Sequence, residues 1–205
     1  MKYKVLKHAS IKIETNNKII YFDPYNIDQN KKADYIFITH DHYDHYDEKT
    51  IINLMTKKTK IIAPTYLKDM VSTLTENYLL VEVNKKYTID DISFETVPSY
   101  NLNKDFHRQE KGNVGYILDI ENQKIYIMGD TDVLEEQKHL TVDICFIPIG
   151  GKYTMDYQEA ADYINELKPK KVIPIHYGSI VGDLSLKDKF EKIINKEINV
   201  EIFIK

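Results

Sequence analysis

The stretch that decides the fold is Tyr35-Ile36-Phe37-Ile38-Thr39-His40-Asp41-His42-Tyr43-Asp44-His45, an apolar run that leads directly into an H-x-H-x-D-H pattern. The apolar run predicts a buried strand, and residues just past a strand end lie on a loop that the sheet holds in place. Imidazole and carboxylate groups are common ligands of transition metals. Without a cation, so many polar groups close together would be costly to bury. The stretch therefore predicts a metal site at the end of a strand.

Two later strand ends carry residues of the same chemical types. The apolar run 125–128 leads into Gly129 and Asp130, and the run 172–175 leads into His176. Taken alone, Asp130 or His176 would be interpreted as a turn or surface residue. Their shared placement at strand ends, following the histidine cluster in chain order, favours a ligand role for both.

Composition limits the classes of protein that this chain can belong to. Its 205 residues, 42% hydrophobic and 29% charged, are enough for one sizeable core, so we expect a single domain over residues 1–205. A formal charge of −4 argues against nucleic-acid binding through a general basic field. The single cysteine, Cys145, lies in an apolar run and is predicted to be a buried strand residue. The sequence does not indicate an oligomeric state.

No targeting or membrane-spanning segment is evident in the sequence. The N-terminal residues lack the apolar region of a secretory signal, and no segment approaches the roughly 20 apolar residues that span a bilayer. We therefore expect a cytoplasmic protein that does not enter a membrane and that acts on a small molecule.

Hydrophobic periodicity predicts short strands that alternate with helices in each half of the chain. The predicted strands cover residues 5–6, 11–14, 19–22, 35–38, 61–63, 79–83, 87–89, 92–97, 115–120, 124–128, 144–149, 171–175 and 200–204. The predicted helices cover residues 47–56, 66–74, about 133–139, 157–167 and 186–194. Asp47 is predicted to cap the first helix, and Asn16-Asn17 to form a hairpin turn. The pattern favours an α/β fold in which two mixed sheets pack face to face with helices outside.

With these motifs, the chain resembles the metallo-β-lactamase superfamily. The resemblance rests on the blocks 39–45, 129–132 and 174–178. It is similar in particular to short metal-dependent hydrolases related to L-ascorbate-6-phosphate lactonase, through the blocks 8–11, 21–24, 97–101 and 148–155. The resemblance implies a four-layer αββα sandwich with the site at one edge, between the two halves.

The resemblance also implies a set of metal ligands. His40 and His42 would bind one metal, Asp44, His45 and His176 a second, and Asp130 would bridge the two. The chemistry of the residues agrees, because alternate residues of an extended loop point to the same side. A carboxylate can also hold two cations about 3.5–4 Å apart. Many superfamily members add a third histidine to the first metal, but no histidine occurs here between His45 and His107.

The remaining histidines have several interpretations. His107 lies in a polar loop and is open to three of them: the missing ligand, a substrate-facing residue, or an exposed surface residue. His8 is predicted to be a supporting or structural residue rather than a ligand. His139, in a charged segment, is predicted to be solvated.

The hypothesis for function is metal-dependent hydrolysis by a metal-bound hydroxide. A Zn²⁺-type cation lowers the pKa of bound water from about 15.7 to about 7. Asp44 and Asp130 would orient the nucleophile, and His107, Asn101 or Tyr100 would stabilise the oxyanion or hold the substrate. The expected substrate is a small ester, lactone or phosphodiester, and Lys152 and Arg108 near the motifs favour an anionic one. One or two divalent ions are expected, with Zn²⁺ favoured and Mn²⁺ or Fe²⁺ as alternatives.

Two other classes of function stay open. An iron redox protein could use the same ligands, although the flavodiiron branch of the superfamily typically has Glu where His42 stands and carries a flavin domain. A non-catalytic metal-binding protein could keep the site without turnover, but such a protein has no chemical need for all six predicted ligands.

Overall fold

Two mixed β-sheets form the centre of the computed structural model, which describes residues 1–205. The first sheet contains six strands in chain order: β1 (Lys2–Lys7), β2 (Ser10–Thr15), β3 (Lys18–Phe22), β4 (Tyr35–Phe37), β5 (Lys60–Pro64) and β6 (Tyr78–Val81). The second contains seven strands, which are β7 (Lys86–Ile89), β8 (Ile92–Pro98), β9 (Val114–Ile120), β10 (Gln123–Ile127), β11 (Ile144–Pro148), β12 (Lys171–Ile175) and β13 (Asn199–Val200). Its strands lie in the reverse of chain order, from β13 at one edge to β7 at the other.

Helices cover the outer faces of the two sheets. Helices α1 (Glu48–Leu54) and α2 (Lys68–Ser72) pack on the first sheet, and α3 (Tyr157–Leu167) and α4 (Leu186–Ile193) pack on the second. Side chains alternate along each strand, so Phe37 joins the core between the sheets while Ile36 packs under the helices. This arrangement confirms the predicted four-layer αββα sandwich.

Several local predictions are also confirmed. Asn16 and Asn17 both have positive φ, of 45° and 60°, as the predicted hairpin between β2 and β3 requires. Cys145 is fully buried in β11. Asp47 occupies the N-cap position of α1, but the prediction that its side chain caps the helix is wrong, because the carboxylate accepts from the Thr50 hydroxyl (2.5 Å) and the Asn26 amide (3.0 Å) and not from an N–H of the first turn.

Three predicted elements are shorter than the sequence indicates. The helix predicted over 133–139 is wrong, because only a 3-10 turn at Glu135–Gln137 forms there. Gln137 is buried and its amide donates to the carbonyl of Pro98, so the segment is held by this long-range contact rather than by helical bonds. The helix predicted over 66–74 is the short α2 preceded by a 3-10 turn at Thr65–Leu67.

The terminal strand predicted over 200–204 is wrong beyond Val200. Only Asn199 and Val200 pair with β12, and one further ladder bond runs from the Glu201 amide to the carbonyl of Val172 (3.0 Å). The tail then leaves the sheet, and the carbonyl of Ile204 accepts from the Tyr177 hydroxyl (2.8 Å) instead. None of the four helices is both long and apolar enough to cross a lipid bilayer.

Candidate metal centre

The strand directions bring all the predicted site residues to one edge of the sandwich. β1, β3 and β4 run in the same direction in the first sheet, as do β8, β10 and β12 in the second. Each of these strands ends just before a site residue. These residues are His8 after β1, Asp23 after β3, His40 after β4, Asn101 after β8, Asp130 after β10 and His176 after β12.

A first group of metal-ligand atoms contains His40, His42, His107 and Asp130. One ligand atom from each lies within 4.8 Å of every other. His107 Nε2 lies 3.0 Å from His42 Nδ1 and 3.4 Å from Asp130 Oδ2, and His40 Nε2 lies 3.9 Å from the same Asp130 oxygen. His107 is buried, with 4% of its surface exposed, so the interpretation of His107 as a surface residue is wrong.

A second group contains His8, Asp44, His45 and His176, and it is buried throughout. Asp44 Oδ2 lies 3.1 Å from His8 Nε2, 3.6 Å from His176 Nε2 and 3.9 Å from His45 Nε2. His8 thus lies among the ligand atoms themselves and contacts the carboxylate of Asp44. The rings of His8 and His176 also lie against each other, with centroids 4.0 Å apart.

Asp130 lies between the two groups and contacts both. Its Oδ2 is 3.0 Å from His176 Nε2 and 3.4 Å from His107 Nε2, while its Oδ1 is 3.2 Å from His45 Nε2. The carboxylate therefore touches histidines from each group, which is the position that a bridging ligand requires.

Unpaired buried atoms test whether these residues fit a cation. His40 Nε2, His45 Nε2, His176 Nε2 and Asp130 Oδ1 are all inaccessible and have no regular hydrogen-bond partner. Such atoms are costly to bury unless something binds them. Two donors that share a tetrahedral ion at about 2.0–2.1 Å lie about 3.4 Å apart, which is within the range of the distances above. The donor set therefore fits divalent cations.

Hydrogen bonds on the far side of the rings orient these imidazoles. His40 Nδ1 lies 2.9 Å from Thr39 Oγ1, His45 Nδ1 lies 2.8 Å from Asp23 Oδ2, and His107 Nδ1 lies 2.9 Å from Asn101 Oδ1. With Nδ1–H donating to these oxygens, the lone pair of each Nε2 faces the centre. The three rings are thereby held in the tautomer that binds a metal.

The electrostatics of the centre require positive charge. Burial would raise the pKa of Asp130, but the imidazoles of His176 and His45, which lie 3.0 Å and 3.2 Å from its oxygens, hold that pKa well below its usual value. Burial would lower the pKa of His45 and His176, but contacts with Asp130 raise both. Burial lowers the pKa of His107 to about 4. The two raised imidazole pKa values and the lowered carboxyl pKa have the same cause, a buried negative charge that a bound cation would also balance.

The backbone at three of these histidines is strained. His8, His107 and His176 have positive φ values of 52°, 48° and 58°, a region that few residues other than glycine adopt. Strained backbone of this kind persists where the surrounding structure fixes a side chain for a function. Gly150 packs closely against this region, since a Cβ there would lie 2.3 Å from the carbonyl oxygen of His176.

Comparison with known proteins agrees with this geometry. Residues 2–176 match the family model of the beta-lactamase superfamily domain. The chain belongs to the beta-lactamase superfamily. Within the superfamily, it is 31% identical to a UPF0173 metal-dependent hydrolase of Staphylococcus aureus over 202 residues, which cover 87% of this chain and 86% of the relative.

Two further members of the superfamily align over nearly the whole chain. A UPF0173 metal-dependent hydrolase of Pyrococcus furiosus is 29% identical, covering 98% of this chain and 96% of the relative. The crystal structure of a Parabacteroides distasonis protein described as a metal-dependent hydrolase superposes with a TM-score of 0.83 and 32% identity, covering 97% of this chain and 90% of that one.

The superfamily fold brings together most of the residues singled out in the sequence. The six predicted ligands converge, and His107 and Asn101 join them. Tyr100 does not, because its hydroxyl bonds to Glu136 (3.2 Å). His139 is exposed, as predicted.

Sequence reasoning missed the role of Asp23, which directly follows the predicted strand 19–22 and enters the sequence analysis only within the block 21–24. Its carboxylate accepts from the Thr39 amide (2.8 Å) and hydroxyl (2.7 Å) and contacts His45. The signal that could have found it is a carboxylate directly after an apolar strand, the same signal that identified Asp130.

Proposed function

We propose that this member of the superfamily is a hydrolase with two metal ions, acting on a small anionic ester, lactone or phosphodiester. The observation that carries the proposal is the pair of donor groups joined by Asp130. His40, His42 and His107 would hold the first ion, and Asp44, His45 and His176 the second. His8 contacts Asp44 and is proposed to position that carboxylate.

The proposed chemistry follows from the donor set. Bound divalent ions would supply Lewis acidity and make a water molecule acidic enough to attack near neutral pH. Asp130 and Asp44 are the carboxylates at the centre, and we assign to them the orientation of the attacking water and the acceptance of its proton. Imidazole-rich sites suit Zn²⁺, while Mn²⁺ and Fe²⁺ accept the same mixture of nitrogen and oxygen donors.

Asn101 is proposed to position His107 rather than to touch the substrate. Its amide nitrogen donates to Asp132 Oδ1 (3.0 Å) and its oxygen faces His107 Nδ1 (2.9 Å), so both ends of the side chain are engaged. An engaged, buried amide is poorly placed to stabilise a developing oxyanion.

The test combines metal content with hydrolysis. Purified protein is analysed for metal, stripped with a chelator, reloaded with Zn²⁺, Mn²⁺ or Fe²⁺, and assayed on a lactone, an aryl ester and a bis-aryl phosphodiester. We expect about two ions per chain, with activity that is lost on chelation and restored on reloading. Asp130→Asn should lower kcat/KM by about 10²-fold or more.

Asp41→Asn is the matched control, because Asp41 also lies on a loop of the centre, between His40 and His42, but its carboxylate pairs with Lys111 (2.5 Å). Chelator-resistant turnover would overturn the proposal. Failure of every metal-loaded form on all three substrates would favour a non-catalytic metal-binding protein, and iron-dependent consumption of oxygen would favour a redox enzyme.

A further inference from the structure

Two aromatic pairs border the metal centre. The rings of Tyr25 and Tyr43 pack edge to face with centroids 5.8 Å apart, and those of Phe106 and Tyr153 do the same at 4.7 Å. A lysine ammonium lies over one tyrosine of each pair, Lys7 at 5.4 Å from the Tyr25 ring and Lys152 at 4.9 Å from the Tyr153 ring. We call the six residues Lys7, Tyr25, Tyr43, Phe106, Lys152 and Tyr153 the aromatic rim.

Every residue of the aromatic rim comes from a chain segment that also serves the centre. Lys7 precedes His8, Tyr25 follows Asp23 by two positions, Tyr43 lies between His42 and Asp44, and Phe106 precedes His107. Tyr153 lies in the loop that begins at Gly150, which packs against His176. The rim is therefore tied to the same edge of the sandwich as the donor atoms.

Two aromatic side chains of the rim are exposed although the donor residues beside them are buried, and Tyr25 and Tyr153 are half-buried. Tyr43 is 64% exposed and Phe106 is 41% exposed, whereas Asp44 and His107 are buried. Exposed apolar surface beside a polar centre is typical of a ligand-binding site.

The charge of the rim indicates the kind of ligand. Lys7 and Lys152 take part in no ion pair, whereas the neighbouring Lys104 and Lys111 are neutralised by Asp132 and Asp41. Their ammonium groups are therefore available to an anionic ligand. They complement an anionic group on a ligand whose apolar part covers the rings.

We propose that the aromatic rim binds an aryl or acyl group of an anionic substrate, and so makes the centre selective for substrates that carry an apolar group beside the scissile bond. This inference rests on the proposed hydrolase function, because the rim would hold the part of the substrate that does not react. Tyr43 and Phe106 would cover the apolar group of the substrate, and Lys152 would contact its negative charge.

Binding of product-like carboxylates tests the inference without any turnover. The Zn²⁺-loaded full chain is titrated calorimetrically with acetate, phenylacetate and the neutral phenylacetamide. We expect phenylacetate to bind about tenfold or more tightly than acetate, since only its ring can cover the rim. Tyr43→Ala and Phe106→Ala should each reduce this preference to about threefold or less, and Tyr43→Phe should retain it.

Lys152→Met should weaken phenylacetate binding and leave phenylacetamide binding unchanged. The matched control is Ile52→Ala, which removes a side chain that is 52% exposed on α1, and it should change nothing. Equal affinity for acetate and phenylacetate, or a preference that survives both alanine variants, would overturn the inference. Selective binding of phenylacetate without any turnover would overturn the hydrolase proposal alone. Turnover without a preference for phenylacetate over acetate would overturn only the inference about the aromatic rim.

Discussion

Asn101 Oδ1 lies 2.9 Å from Nδ1 of His107, and on the opposite side of that ring Nε2 lies 3.0 Å from Nδ1 of His42. The amide of a buried asparagine thus sets the direction in which His107 presents its lone pair. Asp132 holds the asparagine in turn, through the amide nitrogen (3.0 Å). An interaction outside the ligand set therefore controls one of the ligands.

Replacing Asn101 with alanine should weaken metal binding without removing a ligand. His107 would lose the acceptor that orients it, and we expect about a 10–100-fold loss of affinity for one ion. Competition against a chromogenic chelator measures the change. Asn103→Ala, at an exposed position of the same loop, is the control and should bind metal normally. Unchanged affinity in the Asn101 variant would contradict a positioning role.

Replacing His107 with alanine should lower the number of ions bound. The first group would keep His40, His42 and the shared carboxylate of Asp130, so the first ion would lose one of its three imidazole donors and bind more weakly than the second. Elemental analysis after exhaustive dialysis should show about one ion per chain instead of about two. His139→Ala, at an exposed histidine, controls for the loss of an imidazole. Full occupancy with reduced turnover would instead assign His107 to substrate handling.

Metal binding should release protons at neutral pH. Burial opposes protonation of His45 and His176, but their contacts with Asp130 raise both pKa values, which favours protonated rings in the metal-free protein. Because ligands must be deprotonated, each ion displaces protons, and affinity should weaken as the pH falls. A pH indicator in weak buffer should report acidification as the protein is saturated with metal. Affinity that does not change between about pH 6 and 8 would contradict this expectation.

Asp23→Asn should destabilise the fold as well as the centre. The aspartate accepts from the amide and hydroxyl of Thr39 and faces Nδ1 of His45, so an amide NH₂ in its place would meet another donor. We expect the free energy of unfolding to fall by about 1–3 kcal/mol. Urea denaturation of the metal-free protein measures it, with Asp28→Asn, exposed in the following loop, as control. Equal stability of the two variants would show that the hydrogen bonds of Asp23 contribute little to the free energy of unfolding.

The sequence was enough to predict that the candidate site lies at one edge of the sandwich, because the end of each buried strand is visible as an apolar run that stops at a polar residue. The apolar runs before His40, Asp130 and His176 placed these residues at that edge. The sequence could not predict contacts between residues that are far apart along the chain. The bond from His8 to Asp44 joins residues 36 positions apart and depends on the pairing of β1 with its neighbours. The helix predicted over 133–139 failed for the same reason, since Gln137 is held by Pro98.

The centre draws its donors from both sheets. The loops after β1 and β4 supply His8, His40, His42, Asp44 and His45, and the loops after β8, β10 and β12 supply His107, Asp130 and His176. A cation held there would link the two sheets, in addition to the apolar core between them and polar contacts such as the bond from the Tyr116 hydroxyl to the carbonyl of Ile38 (2.7 Å). Loss of the metal would then lower both the free energy of unfolding and the activity of the protein.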